Sequence, residues 1–361
     1  QAIRRASRLS ADAPVIVTGC ASSVFPDRIR ESTPGAVIVP LAQRNTIVDT
    51  VTSLIGVADV KSSDLSTTKR TRAFLKIQEG CNAGCAYCIV PQARGTERSV
   101  PPQDVLCQLS QLAEDGYKEI VLTGIHLGRY GNDLNGQSVT LAGLLRLIED
   151  SVSRVRIRLS SIEPMELSDE FLDAAAGSRL IAPHLHIPLQ SGDDLILESM
   201  GRPYRRNNIE AILGNVAAHF RDPALGVDLM VGFPGEGDHE FLNTLDLIHS
   251  LPITYLHVFP FSKRPNTRAF VMDGQVPSAT KKSRAQVARE LGMKKKEQYI
   301  ARNISKLLTV LVESYDNGLV RGKSENYLDV YFTGTPQDLN SFVPVTLDRP
   351  FREGAYGHRS L

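Results

Sequence analysis

At 361 residues, with 42% hydrophobic and 22% charged positions, the chain exceeds one ordinary compact core and has the composition of a folded globular protein. No segment approaches the ~18 uninterrupted apolar residues of a helical membrane span, and five cysteines in so long a chain do not make a disulfide framework, so both classes are excluded. A net charge of +1 conceals local clusters and excludes no partner, and the cysteine usage fits a reducing cytoplasm.

The first ten residues, "QAIRRASRLS", read as a basic helical segment without the apolar core of a signal peptide. Gln1 is not an initiator, and a helix feeding "VIVTG" lacks the strand expected before it in an α/β sheet, so a missing beginning is expected. From Pro14 to about Val60, strand-like and helical pieces predict part of a small amino-terminal α/β domain, residues 1–60. The polar, irregular stretch Lys61 to Arg72 reads as a linker.

Residues 73–303 follow as a central unit in which six apolar runs recur: "AFLKIQ", "EIVLTG", "VRIRLSS", "PHLHIPLQ", "GVDLMVGF" and "TYLHVFPF". Helices are predicted between them at Gln103 to Asp115, Leu141 to Asp150, Asp169 to Ala176, Ile209 to Phe220 and Glu240 to Leu251. Repeated βα units call for parallel strands with right-handed crossovers, in an open sheet or a barrel. Each strand leads into a polar or glycine-bearing loop, and in such folds ligands bind at the carboxyl ends of strands, so these loops are expected to converge on one mouth. "GFPGE" lacks the lysine and hydroxyl of a phosphate loop, which argues against a nucleotide triphosphatase. After Arg264 come a long cationic helix and a small β domain, residues 304–361.

Cys81, Cys85 and Cys88 form CxxxCxxC within "QEGCNAGCAYCIVPQARG". Structural zinc takes four protein ligands, and no paired histidine lies nearby. An electron-carrying 4Fe–4S cluster needs four cysteines, and neither Cys20 nor Cys107 falls in this run. Three clustered thiols could also be buried small apolar residues. A cluster held by three leaves one iron open to a substrate, and S-adenosylmethionine (SAM) is a ligand that uses such a corner through its amino and carboxylate groups. Cys107, at helical spacing with Leu106 and Leu109, reads as core.

With its aromatic residue before the last cysteine, Tyr87, this run resembles the motif of the radical SAM superfamily. "VLTGIHLGRYG", "HLHIPLQSGDD", "MGRPY" and "DLMVGFPGE" follow in the order of its methylthiotransferase branch, and "TGIHLGRYG" is most similar to the members acting on threonylcarbamoyladenosine in tRNA. The resemblance implies an α/β fold: a radical SAM partial (β/α)6 barrel, a partial amino-terminal methylthiotransferase domain, and a small carboxyl-terminal TRAM-like β barrel. It also implies that Cys81, Cys85 and Cys88 ligate a SAM-activating 4Fe–4S cluster, with Tyr87 beside it. Backbone at Thr123 and Gly124 would meet the methionyl amino group, and Glu163 would accept from ribose hydroxyls. Gln190, Ser191 and Arg205 would address the ribose or methionyl carboxylate, and Val231 to Pro234, including Phe233, would flank the adenine. Cys20, at the carboxyl end of "VIVTGC", would be one of three ligands of an auxiliary 4Fe–4S cluster, its two partners lying in the missing beginning.

The reaction so implied converts N6-threonylcarbamoyladenosine beside the anticodon to its 2-methylthio derivative. One SAM donates methyl and a second yields a 5′-deoxyadenosyl radical. The partners implied are the tRNA anticodon stem-loop, an electron donor such as flavodoxin or ferredoxin, and a sulfur donor, with no membrane. Lys263 and Arg264 after the sixth strand, and Arg321, Lys323 and Tyr327 in "RGKSENYLDVYF", are the expected RNA contacts, by phosphate neutralisation and base stacking. The alternatives are methylthiolation of isopentenyladenosine tRNA or of ribosomal protein, and a non-catalytic tRNA-binding homologue.

Overall fold

The computed structural model describes residues 2–9, 13–56, 71–134 and 139–360, in two compact units. Most of the expected linker, residues 61–70, lies outside the described residues, and its last residue, Arg72, opens a strand. The smaller unit joins residues 1–69 to two short pieces of the cysteine region, 80–83 and 88–97. The larger contains everything else, including residues 84–87 and the carboxyl-terminal β domain.

In the smaller unit, β1 (Ile16–Thr18) pairs in parallel with β2 (Val37–Val39), Val17 opposite Ile38. Gly19, at φ 104, turns the chain out of β1 into the helix Cys20–Val24. The buried Ser22 hydroxyl ties that helix down by donating to the Gly19 and Val39 carbonyls at 2.8 and 2.9 Å. The short helix Val90–Arg94, which follows Cys88, packs on Cys20–Val24.

The larger unit begins with β3 (Arg72–Lys76), β4 (Gln78–Glu79), β5 (Arg98–Ser99), β6 (Glu119–Thr123) and β7 (Arg156–Leu159). These are followed by β8 (His184–Gln190), β9 (Ala224–Val231) and β10 (Tyr255–Pro260). The order β3-β6-β7 makes one parallel sheet and β8-β9-β10 a second, with a parallel bridge between Ile157 and Ile181 joining them. All six strands predicted from the sequence are present and parallel. Their outward residues, such as Ile120, Leu122, Ile157, Leu185 and Val227, bury against the helices Pro102–Glu114, Leu141–Ser151, Asp169–Gly177, Arg206–His219 and Asp238–Ser250. Cys107 departs from expectation: the Pro102–Glu114 helix buries Pro102, Val105 and Leu109, and Cys107 falls on its exposed face.

After the helix Ser278–Asn303 come β11 (Leu307–Asp316), β12 (Leu319–Ser324), β13 (Asp329–Thr333), β14 (Phe342–Phe351) and β15 (Gly354–Arg359), closed as a barrel in the order β11-β12-β13-β15-β14. Closure removes both sheet edges. Val310, Val312, Val320, Val330, Phe332 and Val345 fill its core.

The barrel is tied to the first sheet by buried charge. Glu119 is fully buried and accepts from Arg156 Nε at 2.5 Å and from Arg158 Nε and Nη2 at 3.0 Å. The two guanidinium groups spend their remaining donors on barrel carbonyls: Arg156 on Thr309 and Lys323, Arg158 on Ser324 and Glu325. Burial pushes the Glu119 carboxyl up, but Arg158 and Arg156 outweigh it and hold it below its ordinary value. A depressed carboxylate contributes stability that is complete above its unfolded pKa and lost as pH falls through the lower folded value. Acid should therefore loosen the barrel from the sheet below the ordinary glutamate range. Glu119→Gln is expected to cost about 3–5 kcal/mol at neutral pH, since one partner of a buried network is removed, and to flatten that acid limb, which denaturant melts at several pH values would measure.

Candidate active site around the cysteine loop

The loop after β4 begins at Gly80, whose φ of 72 and close approach to the Thr96 backbone leave no room for a β-carbon. In the smaller unit, the amide of the buried Cys81 donates to the Gly95 carbonyl at 3.1 Å, and the sulfurs of Cys81 and Cys88 accept backbone N–H bonds from Ala83 and Val90 at 3.3 and 3.4 Å. In the larger unit, Ala86 pins the loop twice, donating to the Met200 carbonyl and accepting from the Ala269 amide, each at 2.8 Å. Tyr87 meets Phe233 edge-on at 6.3 Å, and burial pushes its phenol up.

The side chain that organises the larger unit's part of the site is Arg202, only 7% exposed. It donates to Cys85 Sγ at 3.2 Å, to Glu163 Oε1 at 3.1 Å, to the Tyr204 hydroxyl at 2.8 Å and to the Pro188 carbonyl at 2.8 Å. Glu163 follows β7 and Pro188 lies on β8, so one guanidinium links three loops at the carboxyl ends of the sheet. Burial pushes the Glu163 carboxyl up, against the lowering effect of Arg202. The residue expected here from the sequence is Arg205. Arg205 is 39% exposed at the side chain and pairs with Glu198 at 3.1 Å, because it caps the outer end of the helix Arg206–His219.

Other nominated residues gather at the same strand ends. Gly124 leaves space filled by the buried Gln78, whose Oε1 accepts from the His126 amide at 2.8 Å, and Thr123 donates to the Leu75 carbonyl at 3.3 Å. Gln190 closes β8 at φ 66, and Ser191 is buried with its hydroxyl 3.2 Å from that of Thr244. Val231 and Phe233 are buried; Phe233 packs with Ala86, Met200, Phe261 and Ala269. The "GFPGE" loop is braced by Glu236, which accepts from Gly232 at 2.7 Å and pairs with buried Arg284 at 2.9 Å. In the smaller unit, Cys20 is partly buried at the first turn of its helix.

The nominated RNA contacts divide. Lys263 and Arg264 are exposed after β10. Lys323 is buried and Tyr327 half-buried, and both line a cavity of about 380 Å³ with Tyr255, His257 and Asp329. Lys323 is 9% exposed and paired with Asp329 at 3.0 Å, while Tyr327 stacks on His184 at 4.1 Å between the cations of Arg158 and Lys323. Arg321 is exposed but also paired with Asp329, at 2.8 Å.

A polar face not expected from the motifs runs across β8, β9 and β10. His186 donates to Asp228 at 2.9 Å, His257 stands 3.4 Å from the same oxygen, and the Tyr255 hydroxyl lies 2.7 Å from His184 and 3.2 Å from His186. Gly226 makes room for the Tyr255 ring. Burial alone would raise Asp228; the two histidines outweigh it and hold the carboxyl near 2. Alternation along "HLHIPLQ" puts both histidines on one side of β8, and alternation along "YLHVFP" puts Tyr255 and His257 on one side of β10.

The donor set fits a thiolate-held iron–sulfur cluster. Three sulfurs lie within eight positions, and each accepts an N–H bond of the kind that supports sulfur ligands of a cluster.

A family model for the radical SAM superfamily matches residues 75–248. The chain is 35% identical to the threonylcarbamoyladenosine tRNA methylthiotransferase MtaB of Bacillus subtilis, over 99% of this chain and 84% of that protein. It is likewise 35% identical to the MtaB of Thermotoga maritima, over 97% of this chain and 82% of that protein. A tRNA-2-methylthio-N(6)-dimethylallyladenosine synthase of a Thermoanaerobacter species is 34% identical over 76% of this chain and 59% of its own length. Among solved structures, the radical SAM methyltransferase TsrM of Kitasatospora setae, with tryptophan and a SAM analogue bound, aligns with a TM-score of 0.55 at 16% identity, covering 75% of this chain and 59% of that one; this likeness is one of fold. On whole-length identity the chain belongs to the MtaB-type methylthiotransferase family of the radical SAM superfamily.

Proposed function

We propose that this chain modifies tRNA, placing a methylthio group on C2 of N6-threonylcarbamoyladenosine next to the anticodon. The observation that carries the reading is the buried Arg202, bonded at once to Cys85 and Glu163 on a chain that matches MtaB proteins over nearly its full length. Cys81, Cys85 and Cys88 would hold a 4Fe–4S cluster, which supplies the electron that cleaves SAM to a radical able to remove hydrogen from adenine C2. The remaining work belongs to the polypeptide.

Arg202 offers a fixed cation beside Cys85 that would suit the methionyl carboxylate, and Glu163, paired with Arg202, would accept from ribose hydroxyls. The backbone at Thr123 and Gly124, beside which Gln78 packs, would receive the methionyl amino group. Gln190 and Ser191 would add polar contacts, and Val231 and Phe233 would wall off the adenine and exclude water. Cys20 would contribute a ligand to the auxiliary cluster that brings sulfur. The closed carboxyl-terminal barrel would serve as a TRAM-like RNA-holding domain, and the two three-stranded sheets as the partial (β/α)6 barrel. An anticodon stem-loop would enter with its target base extruded, at a cost of a few kcal/mol of unstacking. A flavodoxin- or ferredoxin-type donor and a sulfur donor would complete the cytoplasmic cycle.

The test is nucleoside mass spectrometry of tRNA incubated with the reconstituted full-length protein, SAM, a sulfur source and a reductant. Conversion of threonylcarbamoyladenosine to its methylthio form is expected. Methylthiolation of isopentenyladenosine tRNA or ribosomal protein in its place would overturn the substrate, and tRNA binding without 5′-deoxyadenosine formation would overturn the reaction.

A further inference from the structure

A cationic groove lies beside the carboxyl end of β10, the same end of the parallel strands as the cysteine loop. Its volume is about 530 Å³, between the segment Pro260–Lys263 and the first turns of the helix Ser278–Asn303. Lys263, Lys281, Lys282 and Arg289 line it, together with Ser262 and Ser278. No carboxylate lines it, and among the described residues none of the four cations has an ion-pair partner.

That imbalance is written into the helix. Positions three and four residues from Lys281, Lys282 and Arg289 are occupied by Pro277, Ser278, Ala279, Arg284, Ala285, Gln286, Gly292 and Met293, so the usual neutralising glutamate or aspartate is missing at every one. Elsewhere on the same helix some cations are neutralised, Arg284 by Glu236 and Asp238 and Lys296 by Glu353, while Lys295 donates to the His249 and Leu251 carbonyls. In the groove, Lys281 instead donates to the Phe261 carbonyl at 3.1 Å and lies over its ring at 4.9 Å, and Lys263 lies over Phe270 at 5.5 Å. Burial and the neighbouring Lys263 both lower the Lys281 ammonium, as expected of like charges held close without a counter-ion.

We infer that this groove binds the sugar–phosphate backbone of the RNA substrate. Lys281 to Arg289 spans about 12 Å of helix, long enough to follow successive phosphates rather than one phosphoryl group, and the exposed Ser262 and Ser278 hydroxyls can donate to phosphate oxygens. The inference rests on the tRNA reading above and adds Lys281, Lys282 and Arg289 to the contacts it names.

The experiment is binding of unmodified tRNA to the cluster-loaded protein across a salt series, for the parent, Lys282→Glu and Lys263→Glu/Lys282→Glu. Iron content and tRNA-independent 5′-deoxyadenosine formation report that Lys282→Glu is folded and loaded. The double variant is expected to bind at least tenfold more weakly, with a salt slope shallower by about 1 to 2. Parent-like affinity and slope in a loaded double variant would overturn the groove and leave the tRNA reading standing. Parent-like tRNA binding with impaired electron delivery from an acidic flavoprotein would assign the groove to a protein partner instead. If the parent itself failed to bind tRNA, both readings would fall.

Discussion

Replacing Cys85 with alanine is expected to eliminate reductive cleavage of SAM, reducing 5′-deoxyadenosine to the level of a reaction without protein. A cubane held by three thiolates loses a third of its protein anchors, and no other cysteine lies in the loop to take the place. The same substitution strips Arg202 of its sulfur acceptor, leaving that donor of a buried guanidinium without its partner. Iron and sulfide analysis should show the loss directly, while the fold persists, because the loop is anchored through Ala86 to Met200 and Ala269. Full SAM cleavage by Cys85→Ala would remove this cysteine from the cluster.

The second large effect is expected at Arg202. Arg202→Met preserves much of the side-chain volume but leaves Glu163 without its buried cation, a change of the kind that costs about 3–5 kcal/mol. Loss of a group bonded to a metal-binding thiolate commonly costs about 10–100-fold in affinity or activity. SAM should therefore bind more weakly and cleave more slowly. Arg202→Lys should recover only part, since an ammonium cannot reach Cys85, Glu163, Tyr204 and Pro188 together. A purely structural role predicts lower melting temperature with unchanged SAM affinity in the surviving folded protein. A positioning role predicts that KM for SAM rises and that the SAM-induced change in the cluster's electron paramagnetic resonance signal is lost. Arg205→Met serves as the comparison and should leave both near the parent.

The contrast between those two arginines shows where the sequence stops being informative. "MGRPYRR" presents three arginines in five positions, and no periodicity separates them. The distinction comes from the helix Arg206–His219: its start carries Arg205 outward, whereas Arg202 sits before the turn and points back to the loops. By comparison, "PHLHIPLQ" and "GVDLMVGF" are apolar runs ended by glycine or a polar loop, and both became strands buried among helices. Strand identity was legible because burial on both faces leaves a nearly continuous apolar pattern.

Long-range coverage was the illegible part. Alternation in "VRIRL" says that two arginines share a face, but not that a barrel about 150 residues later covers them. The same barrel contact takes Lys323 and Tyr327 out of the exposed turn that their polar neighbours suggested. Cys107 failed for a local reason: its spacing with Leu106 and Leu109 is compatible with either side of the helix boundary, and the buried stripe runs through Val105 and Leu109.

The most direct test of the account is electron paramagnetic resonance of the anaerobically reconstituted, reduced protein with and without SAM. The account predicts a reduced 4Fe–4S signal that changes when SAM is added, and predicts that this SAM-responsive signal is missing from Cys85→Ala. A reduced cluster whose spectrum is indifferent to SAM, or zinc bound in place of iron, would contradict it.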